Sequence, residues 1–224
     1  MMPAEGSFRA LLVDYGGVMT SSMGRVFAKF CLEAGVDPSV FKGLIEDAYG
    51  GGNPDGAMAR LERGEIDLEE FERWMAATLS AGLDEPLDWQ GLKNRMNAGM
   101  DPDEAMVEAI RQARAAGIRT ALVSNSWGGG AYQREHFPEL YDQVVISGEV
   151  GARKPEPEPE IYLLTAERLG VPAGQCVFVD DLLQNVEGAQ AVGMEGIVHR
   201  SAEFTVPRLE ALFRVTLSGR RIAT

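Results

Sequence analysis

Asp14 stands at the end of the apolar run Phe8-Arg9-Ala10-Leu11-Leu12-Val13 and is followed by Tyr15-Gly16-Gly17-Val18. A carboxylate at the exit of a buried strand is expensive to place, and in open α/β sheets ligands bind at that edge. The two glycines let the backbone turn sharply and offer bare N–H groups to an anion. Three more polar groups follow strand-like runs or the loops after them: Ser124-Asn125, Arg153-Lys154-Pro155 and Asp180-Asp181. Nucleophile, hydroxyl and amide, lysine and acidic pair together form a constellation for phosphoryl transfer. In that chemistry Asp14 attacks phosphorus and carries an aspartyl-phosphate. Gly17, Ser124 and Asn125 would donate hydrogen bonds to phosphate oxygens, and Lys154 would neutralise those oxygens and hold the nucleophile's charge. Three carboxylates converging on one sheet edge repel unless a divalent cation sits among them. The reading therefore calls for Mg²⁺ held by Asp14, Asp180, Asp181 and the Gly16 carbonyl.

These residues need a sheet to bring them together. Five short strand-like runs are visible: Phe8–Val13, Ile118–Ser124, Gln143–Ile146, Cys176–Val179 and Glu195–Val198. Helical patterns separate the later ones. Asp101-Pro102-Asp103-Glu104 reads as a start with Asp101 as N-cap, followed by Met106, Ile110 and Ala113 at helical spacing and a stop at Gly117. Ile161–Leu169 before Gly170 and Val186–Val192 before Gly193 end by the same logic. Strands alternating with helices of this length imply a parallel sheet with right-handed crossovers.

Residues 22–97 interrupt that pattern and contain no convincing strand. They read as helices over Arg25–Ala34, Pro38–Tyr49 behind Asp37, Ala57–Arg63, Leu68–Leu79 behind an Asp67/Glu70 capping box, and Pro86–Asn97. An all-helical cap inserted after the first strand explains this better than a separate N-terminal domain. The expected division is residues 1–21 and 98–224 as an α/β core and 22–97 as cap. Gly50–Pro54 is a candidate mobile loop, and Glu156–Glu160 a Pro-rich lead into the next helix. Glu65–Glu72 reads as the wet face of a cap helix, and Met58, Met75, Met96, Met100 and Met106 as packing residues.

Composition narrows the partners. A net charge of −13 argues against a nucleic-acid backbone or an anionic membrane, while leaving room for a small phosphorylated molecule in a locally positive pocket. No run approaches the ~18 apolar residues of a membrane span, and Met1–Ala10 lacks a signal-peptide pattern, so cytoplasmic residence is expected. Cys176 opens an apolar run and reads as a buried free thiol. His136 and His199 have no partner pattern and read as surface or satisfied histidines. The oligomeric state stays open.

With the residues laid out, a resemblance is plain. Asp14-Tyr15-Gly16-Gly17-Val18, Val123-Ser124-Asn125-Ser126-Trp127, Val150-Gly151-Ala152-Arg153-Lys154-Pro155 and Val179-Asp180-Asp181-Leu182-Leu183-Gln184-Asn185 resemble the four motifs of haloacid-dehalogenase-superfamily hydrolases. More narrowly, they resemble the phosphatase-like group related to the N-terminal domain of soluble epoxide hydrolases, as does Ala59–Ile66 in the cap. The likeness runs from about residue 8 to about 213. It implies a Rossmann-like core with a helical cap and Mg²⁺-dependent phosphatase activity. Two departures stand out. The family's usual second Asp, which protonates the leaving group and then activates water, is here Gly16. The Glu-Pro after Lys154 is doubled. The first opens an alternative: a weakened phosphate-binding or regulatory protein. Dehalogenation is disfavoured, because the acidic pair hinders a metal-free displacement of halide. Lys29, Lys42 and Lys93 carry no distinctive motif for phosphonatase chemistry.

Overall fold

A computed structural model describes residues 8–49, 55–127, 132, 134–154 and 159–219. The strands β1 (Ala10–Val13), β2 (Arg119–Ser124), β3 (Gln143–Ile146), β4 (Cys176–Asp180) and β5 (Glu195–Val198) are all parallel, in the order β3-β2-β1-β4-β5. Helices α1 (Met23–Ala34), α2 (Pro38–Tyr49), α3 (Ala57–Glu62), α4 (Leu68–Leu79), α5 (Leu92–Met96) and α6 (Glu104–Ala115) lie between β1 and β2. After β2 come α7 (Phe137–Leu140), α8 (Ser147–Val150), α9 (Glu160–Leu169), α10 (Leu183–Ala191) and α11 (Ala202–Phe213).

Alternation along each strand builds two layers. Leu11, Val13, Leu122, Val177 and Val179 pack against α6 and α11, while Ala10, Leu12, Val123 and Phe178 pack against α9 and α10. Both faces are covered, which is why the strands read as unbroken apolar runs. Helices α1 to α5 enclose an apolar core of their own around Phe27, Phe41, Phe71, Met75 and Met96. The molecule is thus an α/β Rossmann-like sheet with an all-helical insertion after β1.

Register matters most for the site. Val13 pairs with Leu122 on one side and Val179 on the other, and the Asp14 N–H donates to the Val179 carbonyl at 2.9 Å. Asp14 and Asp180 therefore leave the sheet side by side, on adjacent strands.

Three local expectations change. The α6 cap is Asp103, whose side chain accepts from the Ala105 and Met106 N–H groups at 3.1 Å, and not Asp101. Asp101 is engaged elsewhere: residues 101–103 run antiparallel to 19–21, with Ser21 N–H on the Asp101 carbonyl at 2.7 Å and Asp103 N–H on the Met19 carbonyl at 2.9 Å. The helix expected over Pro86–Asn97 is only Leu92–Met96, because Ser80 Oγ takes the Leu87 N–H at 2.8 Å and holds that stretch off the helical path. Glu72 is buried and not part of a wet face. Its carboxylate accepts from the Gly91 and Lys93 N–H groups at 3.2 and 2.9 Å, capping α5 from α4. The Asp67 cap on α4 is present, at 2.8 Å to the Glu70 N–H.

Met58, Met75, Met96 and Met106 are buried. Cys31 and Cys176 are buried free thiols, and His199 is buried against Thr205 Oγ1 at 2.9 Å. Among the described residues no helix is long and apolar enough to cross a membrane. The Gly50–Pro54 loop, the glycines after Trp127 and Glu156–Glu158 lie outside the described residues.

Candidate functional site

Lys154 is the hub. Its ammonium is fully buried and sits 2.8 Å from Asp14 Oδ1 and 2.7 Å from Asp180 Oδ2. Burial alone would lower its pKa, but the two carboxylates outweigh burial and hold it protonated, well above the lysine range. Asp180 is locked in turn. Its oxygens also accept from the Leu182 N–H at 2.9 Å and from Asn185 Nδ2 at 3.0 and 3.1 Å. Asp181 completes a cluster in which one carboxylate oxygen from each of Asp14, Asp180 and Asp181 lies within 4.8 Å of the others. Burial, opposed by Lys154 and reinforced by Asp180, pushes Asp14 up to about 6. Burial with the charges of Asp14 and Asp180 pushes Asp181 to about 7. Three carboxylates against one ammonium leave two surplus negative charges, which a dication would match. Asn185 Oδ1, beside this cluster, is buried and has no hydrogen-bond partner among the described residues, an acceptor that a hydrated cation would satisfy.

The remaining sequence candidates surround this hub in different ways. Ser124 lies at the tip of β2, its hydroxyl accepting from Tyr132 at 3.0 Å. Asn125 is a clamp: Oδ1 accepts the Lys154 N–H at 2.8 Å, while Nδ2 donates to the Lys154 carbonyl and, at 3.2 Å, to Glu62. The Gly17 N–H is directed to Thr20 Oγ1 at 3.1 Å. What glycine provides at 17 is room and a φ of +76°, since a Cβ there would meet Asp181 Oδ2 at 2.3 Å. Gly16, Asp14, Ser124, Lys154 and Asp181 all line one cavity of about 550 Å³ between the sheet edge and the helical insertion.

The haloacid dehalogenase-like hydrolase model matches residues 8–193. The chain belongs to that family. Over 214 residues the hydrolase is 32% identical to acyl-CoA dehydrogenase family member 10 of Mus musculus, covering 92% of this chain and 19% of that protein. It is 34% identical over 142 residues to sesquiterpene phosphatase astK of Aspergillus oryzae, covering 62% of this chain and 69% of the relative. The hydrolase thus spans about a fifth of the mouse protein's length. Among solved structures, a HAD family enzyme of Bacteroides thetaiotaomicron in complex with magnesium and inorganic phosphate superposes with TM-score 0.57 at 19% identity, covering 87% of this chain and 95% of that one. At that identity the likeness speaks to fold.

One residue of the hydrolase lies within the Ala59–Ile66 likeness, yet sequence reasoning gave it no role. Glu62, the last residue of α3, is fully buried and reaches the α/β unit. Its carboxylate accepts from Arg153 Nε at 2.6 Å, Asn125 Nδ2 at 3.2 Å and Trp127 Nε1 at 3.2 Å, and its backbone carbonyl accepts from Ser147 Oγ. A signal was available in the pattern: Glu62 falls on the same helical face as Met58 and Leu61, where a carboxylate must have a partner. Tyr132 had no comparable signal, lying in a glycine-rich stretch without periodicity. Trp127 both walls the cavity and packs, stacked on Phe27 at 5.4 Å and edge-on to Phe71 at 6.0 Å. Glu62→Ala should cost about 3 kcal/mol in a urea titration, because it withdraws the carboxylate from a buried guanidinium. Glu62→Gln should cost less, since an amide keeps part of the hydrogen bonding. An alanine variant as stable as the parent would show that this latch contributes nothing.

Proposed function

We propose that this hydrolase is a Mg²⁺-dependent phosphatase acting on a small phosphorylated molecule through an aspartyl-phosphate on Asp14. The observation that carries the reading is the Lys154 bridge between Asp14 and Asp180, with Asp181 alongside, at the floor of a cavity. With Asp14 Oδ1 held by Lys154, the other carboxylate oxygen attacks phosphorus, the P–O bond to the leaving group breaks, and the leaving oxygen takes its proton from solvent. Water then attacks phosphorus, the bond from phosphorus to the Asp14 oxygen breaks, and inorganic phosphate leaves, its surplus proton passing to solvent and Asp14 returning as carboxylate. Lys154 and the Ser124 hydroxyl hold the phosphoryl oxygens. Asn125 supports Lys154 with its side chain and offers its backbone N–H. Asp14, Asp181 and the Gly16 carbonyl would hold Mg²⁺, with Asp180 lending charge from behind. When bound, the ion supplies neutralisation of the phosphoryl charge. Residues 22–97 serve as the cap that excludes bulk water.

Phosphatase names among the relatives support this side of the family, including the phosphorylated carbohydrates phosphatase of Thermotoga maritima, 33% identical over 97 residues. The acidic pair at 180–181 favours it over halide displacement. The surplus negative charge of the chain argues against nucleic acid as substrate, and the buried free thiols suit a reducing, cytoplasmic setting.

Turnover of aryl and acyl phosphates is the deciding measurement. Rates should require Mg²⁺ and rise steeply as the leaving group becomes more acidic, because no carboxylate occupies position 16. Tight binding of Mg²⁺ and inorganic phosphate without turnover of any ester would favour the binding-protein alternative.

Metal binding should also follow pH. Both carboxylates must be ionised to hold a cation, and burial has raised them to about 6 for Asp14 and about 7 for Asp181. Protons therefore compete below neutrality and cease to do so above both values. Calorimetric Mg²⁺ affinity should climb on the order of tenfold or more between pH 5.5 and 7.5, then level off. An affinity independent of pH across that window would remove these two carboxylates from the metal site.

A further inference from the structure

We infer that the substrate's leaving group is apolar: a phosphate monoester or acyl phosphate bearing a hydrocarbon chain or ring on the order of ten carbons, seated under α1 and α2. This rests on the phosphatase reading of the cavity floor and names what lies above it.

The cavity of about 550 Å³ is continuous from Asp14, Ser124 and Lys154 up to the helical insertion. Its upper walls are mainly apolar, from Met23, Phe27, Phe41, Ile45, Trp127 and Leu182, with Ser22 and Asn97 the uncharged polar side chains of the insertion among the lining. Trp127 presents its ring alone, because its indole N–H is already donated to Glu62 at 3.2 Å. Above the floor, Lys42 is the one charged residue among the described lining. Its side chain is 75% exposed and pairs with Glu46 at 3.3 Å, so it marks the mouth and not the interior.

A polyhydroxylated leaving group fits such walls poorly, because Ser22 and Asn97 can partner only a few of its hydroxyls. Each hydroxyl desolvated without a partner lowers affinity by about five- to 100-fold. A hydrocarbon gains instead, roughly threefold or more for each methylene taken out of water. The walls come from α1, α2, the segment after β2 and the start of α10, so the preference belongs to the fold and not to one loop.

The test uses n-alkylphosphonates, which bear no hydrolysable ester, titrated calorimetrically into the full chain with Mg²⁺ present. Dissociation constants should fall about threefold per methylene, near 100-fold from butyl- to octylphosphonate. Ile45→Glu, which sets a charge in the upper wall, should collapse the octyl-to-methyl affinity ratio toward one. Ala28→Phe, which fills the chamber from a solvent-accessible helix position, should do the same if the first variant does not fold. A flat series, or glucose 6-phosphate competing better than octylphosphonate, overturns the inference. So does a failure of every phosphonate to bind. Mg²⁺-dependent turnover of phenyl phosphate alongside a flat series would leave the phosphatase reading standing without the apolar chamber. A steep series without turnover would do the reverse.

Discussion

Asp14→Asn abolishes turnover: kcat should fall by at least about 10⁴ on every phosphate tested. An amide is a poor nucleophile toward phosphorus, and it also removes half of the charge that holds Lys154 in place. The protein should still fold, because Asp180 keeps its 2.7 Å contact to Lys154 and its own bonds to Asn185 and the Leu182 N–H. Two readouts separate chemistry from collapse. The parent, quenched during turnover, should carry one phosphoryl group on the peptide containing Asp14, whereas the variant should carry none. Phosphoryl label on another residue, or an Asp14→Asn protein that keeps turning over, would transfer the nucleophile's role elsewhere.

Gly16→Asp works in the opposite direction. Restoring a carboxylate two residues after the nucleophile should accelerate hydrolysis of alkyl phosphates by about 10²-fold, at the lower end of what general acid–base help provides. Esters whose leaving groups depart unaided should change little, so the dependence on leaving-group acidity should flatten. The site accepts the change sterically. Gly16 is not among the positive-φ glycines, and a Cβ there meets only Met23 Cγ at 3.3 Å and Sδ at 3.4 Å, so the flexible Met23 side chain must shift by a few tenths of an ångström to admit it. Gly17 offers no such latitude, because its backbone is left-handed and Asp181 lies 2.3 Å from where a Cβ would stand. A folded Gly16→Asp protein with unchanged alkyl-ester rates would mean that proton transfer does not limit this enzyme.

The parallel sheet was legible because both faces are covered, so β1, β2 and β4 stand out as apolar runs in a chain that is otherwise mixed. Asp14, Ser124 and Asp180 were legible for the same reason, each sitting at or just past the end of such a run. The uses of Asn125 and Gly17 were not. Residue type says that an amide can donate, but only the fold reveals that this one grips the Lys154 backbone. Glu72 and Glu62 share that lesson. Both are carboxylates on helices, and their burial depends on how α4 meets α5 and how α3 meets the strand-end loops. The α6 start lies two residues beyond its expected place because Asp101 and Asp103 are both competent caps. The choice between them is made by Met19 and Ser21, some 80 positions earlier.

That last contact has a mechanical consequence. The chain enters the helical insertion at residues 19–21 and leaves it at 101–103, and the two passages are zipped together as a short antiparallel ribbon. Two separate tethers would allow the insertion to sway and twist freely. A zipped pair ties entry and exit to one another, so the Glu62 contact to Asn125 and the chamber wall share a single anchored base.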